Sequence, residues 1–193
     1  MHFLEALRQI QEKYHISDLY GQSEWTQEEV EETAQIPKKI NTHLYYDQFL
    51  FHPDDIPMEF SNIPEVFTVF RKKCEKQSKV RSPIGIPETM PTENLLTIVP
   101  ALPTLDALGY ESASNDHRTA VPFVGGETAA WERIQHYFWD TKQLSYYKKT
   151  RNGLLGKKYS SKLSLWMAFG SISARSIYAE VKKYEQRVVK TDS

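Results

Sequence analysis

Residues 147–164 read YKKTRNGLLGKKYSSKLS, with six cationic side chains, no acid, a glycine-containing turn, and serines that open onto the apolar run LWMAFG. Such a stretch can hold an anion. Hydroxyls just before a helix satisfy its unpaired N–H groups, and those N–H groups, with the helix dipole, also bind phosphate. Lys162 adds charge within Ser160–Ser164, and Gly153 and Gly156 let the preceding loop turn sharply toward a ligand. Tyr147 and Arg151, one turn apart, set an aromatic group and a guanidinium beside these donors. A nucleotide cofactor or a nucleic acid uses that set of groups. The same residues also read as an N-capped helix after a basic loop, and residue types alone leave both readings open.

Charge is segregated along the chain. The net charge is −1, but residues 1–60 carry 12 acids against 4 bases, while residues 142–183 carry ten bases against Glu180 alone. This asymmetry points to an anionic partner for the later part or to a solvated basic surface. At 193 residues, 40% hydrophobic and 25% charged, the chain fits one domain or one plus part of another. It has no run of 18 apolar residues and no basic-then-apolar leader, so neither a membrane span nor a secretory signal is expected. Cys74 is the single cysteine; it excludes an internal disulfide and a CxxC metal site, and favours a reducing compartment, read as the cytoplasm.

Other chemistry-bearing residues read as structural. Trp25, Trp131, Trp139 and Trp166 are expected as core or surface aromatics, His136 as a packing residue, and Cys74 as a small buried one. His52, Asp54 and Asp55 have no metal-ligand spacing and are expected in a turn capped by an Asp. Ser160 lacks the G-x-S-x-G context of a hydrolase nucleophile.

The elements that must position these residues fall into three regions. In residues 1–78, FLEALRQIQEKY has apolar residues at helical spacing. HISDLYG reads as a strand ended by Gly21, and WTQEEVEETAQ as a helix capped by Thr26 and stopped by Pro37. THLYYDQFLF reads as a second strand, and IPEVFTVFRKKCEKQ as a helix with Val66, Phe67 and Phe70 on one side. This order predicts part of an α/β layer, with too few strands for a self-sufficient parallel sheet. Residues 79–122 hold six of the ten prolines and lose periodicity except for one turn at LPTLDALG, as an interdomain connection would. Residues 123–193 predict an all-α unit: GGETAAWERIQHYFWDTKQLSYYKK, the short SLWMAFG, and SISARSIYAEVKKYEQR capped by Ser173, with Ile177, Val181 and Tyr184 on one face. The large apolar faces of these helices, and the stop at KTDS, read as those of a chain truncated at both ends.

The segments GGET, YKKTRNGL, YSSKLS and the run through IYAEVKKYE, in that order, resemble the start of the flavin-binding domain of the cryptochrome/photolyase family, DASH type. FHPDDIP at 51–57 and VFTVFRKKCE at 66–75 resemble the last part of the family's α/β domain. The resemblance implies the C-terminal part of a Rossmann-like α/β domain at 1–78, an interdomain linker at 79–122, and the N-terminal part of a helical FAD domain at 123–193. It implies FAD contacts at Tyr147 and at Ser160, Ser161, Lys162, Leu163 and Ser164, the last five on the phosphates and ribityl chain, and a DNA contact at Arg151.

The implied activity is light-driven electron transfer from reduced FAD to cyclobutane pyrimidine dimers, mainly in single-stranded DNA, where the lesion leaves the stack readily. The alternatives are a non-catalytic blue-light photoreceptor and a nucleic-acid-binding chain without flavin. A folate antenna, 5,10-methenyltetrahydrofolate, is common in the family, and Glu24 falls near its binding segment. Leu165, Ser171 and Ala174 depart from the Pro, Cys and Pro usual there; none removes a phosphate donor. The resemblance further implies that the first strands, the ring and adenine contacts and the tryptophan electron-transfer chain lie outside these 193 residues. The chain by itself is therefore expected to be inactive and to bind FAD weakly or not at all.

Overall fold

A computed structural model of the chain describes residues 3–93, 95–97, 101–111, 116–153 and 156–189. The expected end at KTDS and parts of the 79–122 connection lie outside the described residues. Two compact units are present: Met1–Ser82 with Ser173–Tyr178, and Pro83–Ile172 with Ala179–Ser193.

The first unit opens with helix α1 (Phe3–Tyr14), whose amphipathic spacing buries Leu7 and leaves Phe3 and Ile10 nearly half exposed. The helix ends at His15, which takes a left-handed conformation at φ 50°. Strands β1 (Asp18–Gln22) and β2 (Asn41–Tyr45) pair in parallel, with Asp18 opposite Asn41 and Gln22 opposite Tyr45. His43 on β2 stacks on Tyr20 at 4.5 Å between ring centroids, and its Nε2 lies 3.0 Å from Asp18 Oδ1. The crossover carries helix α2 (Gln27–Ala34), which stops before Pro37 as expected. Thr26 precedes it, but its hydroxyl donates to the Glu29 carboxylate at 2.8 Å instead of accepting from a backbone N–H.

The second strand is shorter than the sequence predicts. The chain leaves β2 after Tyr45 so that Tyr46, Phe49 and Phe60 can gather around Trp25, with ring centroids 4.9–6.4 Å from it. Helix α3 (Phe67–Gln77) buries Cys74, whereas Val66 and Phe67, expected on its packed side, stand 61% and 70% exposed.

The second unit has no strand among its described residues. Among the described residues its early part holds one short helical turn, Asp106–Leu108, closed by Gly109 at φ 77°. Helix α4 (Glu127–Ile134) continues into a wider π-helical turn, Gln135–Asp140. There the Thr141 N–H and hydroxyl both donate to the His136 carbonyl, at 3.0 and 2.8 Å. Lys142, at φ 49°, then breaks the helix that the sequence predicts to run unbroken. A 3-10 turn over Gln143–Tyr146 leads into the one-turn helix α5 (Tyr147–Thr150). Helices α6 (Ser164–Ala168) and α7 (Ala174–Tyr184) follow, and α7 has residues in both units.

The core of the second unit is aromatic. Tyr137, Phe138 and Tyr184 are 1% exposed, and Phe138 and Trp139 meet Tyr184 edge-on at 6.2 and 5.4 Å. The Tyr184 hydroxyl shares a hydrogen bond with Ser145 Oγ at 2.7 Å. As expected, Ser173 caps α7, accepting from the Ser176 N–H at 3.0 Å.

Candidate anion-binding loop

The residues singled out for phosphate binding lie on the segment between α5 and α6. Ser160, Ser161 and Lys162 are half-buried, Leu163 is buried, and Ser164 is the exposed first residue of α6. The expected serine cap is absent: Leu163 occupies the N-cap position in a helical conformation, and no side chain caps α6. A five-residue helix has little macrodipole, so any affinity for an anion must come from the loop itself.

The loop has a definite sidedness. The buried Arg133 guanidinium on α4 donates from Nε to the Ser161 carbonyl (2.8 Å) and from Nη2 to the carbonyls of Lys157 (2.7 Å) and Ser160 (3.1 Å). In a planar trans peptide the C=O and the following N–H point in opposite directions. Carbonyls drawn onto Arg133 therefore turn the N–H groups of Ser161 and Lys162 away from it. Lys162 is left-handed at φ 60° and Leu163 is right-handed at φ −77°, ψ −10°. Successive residues of opposite hand make their N–H groups converge into an anion-binding nest. Among the described residues, the N–H groups of Ser161, Lys162 and Leu163 meet no acceptor. Among the described residues the hydroxyls of Ser160, Ser161 and Ser164 meet no hydrogen-bond partner and the Lys162 ammonium pairs with no acid.

Neighbouring groups hold the loop in place. The Thr150 hydroxyl reaches the Tyr159 carbonyl at 2.9 Å and the Tyr146 carbonyl at 3.2 Å, which ties α5 to the residue before Ser160. A Cβ on Gly153 would stand 2.6 Å from the Tyr159 ring, so this glycine is what permits the close approach. Gly156, at φ 97°, supplies the turn. Leu154 and Leu155 lie outside the described residues. Tyr147, 39% exposed, opens α5, and the exposed Arg151 follows it, donating its N–H to the Tyr147 carbonyl at 2.9 Å. Tyr147, Arg151 and Ser160–Ser164 thus lie along one stretch of the helical unit, tied by the Thr150–Tyr159 bond, with exposed Lys148, Lys149, Lys157 and Lys158 among them in sequence.

Burial lowers the Arg133 guanidinium from its ordinary pKa and raises the Tyr137 phenol, whose ring lies 5.1 Å beneath the guanidinium carbon. Arg133, Thr150 and the Tyr159 ring were not picked out in the sequence. A signal did exist for the first: Arg133 shares a helical stripe with Ala130 and Tyr137, and a cation on an apolar stripe requires buried partners.

The remaining polar groups have structural roles. His52 accepts the Asp54 N–H on Nδ1 at 3.2 Å, so the histidine caps this turn and not the expected aspartate. Arg81 grips Asp55 with two bonds, 2.6 and 3.1 Å, and holds that carboxyl below its usual range. Glu24 accepts from Gln48 at 2.6 Å. The indole N–H groups of Trp131, Trp139 and Trp166 donate to Glu127, to Glu180 and to the Val124 carbonyl. His136, expected to pack, is exposed because the π-helical turn points Tyr137 and Phe138 inward instead. No group of three potential metal ligands occurs among the described residues, and none of their helices is long and apolar enough to cross a membrane.

No family model matches the chain. It is 40% identical over 163 residues to a protein named cryptochrome DASH from Gloeobacter violaceus, covering 84% of this chain and 32% of that protein. A cryptochrome DASH from Synechocystis is 37% identical over 196 residues, covering 98% of this chain and 40% of that one. A relative from Oryza sativa, named cryptochrome DASH, chloroplastic/mitochondrial, is 41% identical over 162 residues, covering 81% and 28%. The structure matches a crystal structure of a Synechocystis cryptochrome with a TM-score of 0.84 and 36% identity, covering 96% of this chain and 39% of that one. The chain therefore spans between about a quarter and two-fifths of the length of these relatives.

Proposed function

We propose, from the premise that the chain belongs to the DASH-type cryptochrome/photolyase family, that it carries the phosphate-binding part of a blue-light-absorbing FAD flavoprotein. The observation that carries this reading is the sidedness of the 157–164 loop: carbonyls held inward by Arg133, with N–H groups, serine hydroxyls and the Lys162 ammonium that meet no partner among the described residues. That donor set fits a diphosphate. Ser160, Ser161, Lys162, Leu163 and Ser164 would hold the FAD phosphates and ribityl chain, and Tyr147 would contact the cofactor from α5. When bound, reduced FAD supplies the light-driven electron that splits a cyclobutane pyrimidine dimer.

The chain's own residues bind and orient. Arg151 and the surrounding lysines would attract the DNA backbone, with the strong salt dependence of phosphate neutralisation. Exposed Tyr146 and Tyr159 beside them offer faces on which unstacked bases can rest, as single-stranded DNA requires. This basic, aromatic surface also favours the second reading, nucleic-acid binding or signalling without repair. In the same proposal, residues 1–78 are the end of the family's α/β domain, 79–122 its linker and 123–193 the start of its all-α FAD domain. The buried, unpaired Cys74 supports a reducing compartment such as the cytoplasm, although some relatives are named chloroplastic/mitochondrial. A folate antenna would fall near Glu24, which accepts from Gln48 at 2.6 Å.

The test is flavin binding by the 193-residue chain. At equilibrium, FAD and FMN fluorescence or absorbance should respond to the protein, and riboflavin, which lacks phosphate, should not. After gel filtration little flavin should remain, because these residues supply phosphate contacts and few to the ring. Equal binding of riboflavin and FAD, or no response to FAD at millimolar concentration, would refute the phosphate-loop reading. Stoichiometric FAD retained on the column would show a complete pocket in this chain.

A further inference from the structure

Arg133 is 7% exposed, and no carboxylate pairs with it among the described residues. Its partners are three backbone carbonyls of one loop and the face of Tyr137. A buried cation without a counter-ion is costly, and well-packed apolar residues often stabilise such a position as well or better. Core filling therefore does not explain it. Its directional consequence does: each carbonyl it captures reverses the N–H that follows, so one guanidinium sets the facing of the Ser161 and Lys162 N–H groups together. The planar fork fixes the directions in which the carbonyls of Lys157, Ser160 and Ser161 are held; a lysine ammonium also has three donors but imposes no plane on them.

We infer that Arg133 is a positioning residue that pre-forms the anion nest at Lys162 and Leu163, turns the Ser161 N–H the same way, and supplies the buried positive charge that a bound diphosphate offsets. The inference deepens, and rests on, the reading of Ser160–Ser164 as a diphosphate site. Arg133 acts through the loop and does not itself touch the anion. A bound diphosphate supplies the counter-ion that α4 lacks, so affinity depends on the guanidinium as well as on Lys162.

The test is an amide-shift titration of the 193-residue chain with inorganic pyrophosphate, followed by 1H–15N spectra. In the unmodified chain the amides of Ser161, Lys162 and Leu163 should shift saturably. Arg133→Lys, which keeps the charge and loses the fork, should bind about tenfold more weakly. Its ligand-free loop amides should already be displaced, while the amides of Phe138 and Tyr184 stay in place. Lys162→Met should also weaken binding but leave the ligand-free amides of Ser160 and Ser161 where they were. Equal affinity of Arg133→Lys and the unmodified chain would overturn the inference and leave the diphosphate reading standing. Collapse of the Phe138 and Tyr184 signals in Arg133→Lys would make Arg133 a fold-holding residue and overturn it too. Loop amides of the unmodified chain that ignore pyrophosphate would overturn the diphosphate reading and this inference together.

Discussion

In the helical unit Tyr137, Phe138, Trp166 and Tyr184 are at most 3% exposed, whereas in the strand-containing unit Tyr20, Tyr45 and Phe67 are 67%, 56% and 70% exposed. The two units have similar aromatic supplies and differ in what their elements need. A helix satisfies its own backbone and must cover one stripe, so α4, α6 and the end of α7 can close a core among themselves. A parallel sheet must have both faces covered and its edges paired. The β1–β2 pair has no third strand among the described residues, and its side chains stay half or fully exposed. The candidate loop sits on the unit that closes its own core, which suits a site whose donors must be held still before the ligand arrives.

Phe138→Ala should cost about 3–5 kcal/mol, the range for deleting a buried aromatic side chain; a urea denaturation curve followed by near-UV circular dichroism reads it. A loss under about 1 kcal/mol would mean that the helical core is loosely packed. Gly153→Ala should cost about 1–3 kcal/mol, because its methyl drives into the Tyr159 ring. Adding Tyr159→Ala should recover most of that loss, and no recovery would place the strain elsewhere.

Arg151→Ala should weaken binding to single-stranded oligothymidylate and lower the salt slope by about one phosphate contact. Flavin response should be unchanged; an unaltered slope removes Arg151 from the interface. In the strand unit, Asp18 is held below its ordinary carboxylate pKa by Ser17 first and His43 second. A lowered carboxylate pKa stabilises the fold above the unfolded value of about 4, and that stability is lost as pH falls below it through the folded value. Acid should therefore loosen the β1–β2 pair below about pH 4, with a smaller response in Asp18→Asn, as far-UV circular dichroism at stepped pH would show. Because Asp18 is exposed, the effect should be small. The smallest change is Phe67→Ala, within about 0.5 kcal/mol for a side chain already in water; a larger loss would show that this face is covered in solution.

Much of the fold is legible in the residues. The spacing around Leu7, the acids after Thr26, the stop before Pro37 and the Ser173 cap are local signals, and α1, α2 and α7 follow them. The failures are where distant groups decide. The second strand ends at Tyr45 because Trp25, twenty residues earlier, gathers the aromatic residues beyond it. The expected helix over 125–149 divides at Lys142, where the Thr141 side chain returns to the His136 carbonyl. At the candidate site, the polar residues of the loop could be named from the sequence, but not what orients their backbone. The serines do not cap α6, and the feature that organises the loop, Arg133, lies 24–28 residues away in sequence.

Residue type and order establish the inventory: a basic stretch with serines and glycines, an aromatic helical region, a proline-rich connection, and motifs ordered as in one family. Those follow from residue type and near-neighbour spacing, which act over one or two turns of chain. Which way the loop's carbonyls face emerges only on folding, because it depends on a buried guanidinium brought in from another helix. The orientation of a peptide plane is invisible in composition, and the proposed anion site depends on it.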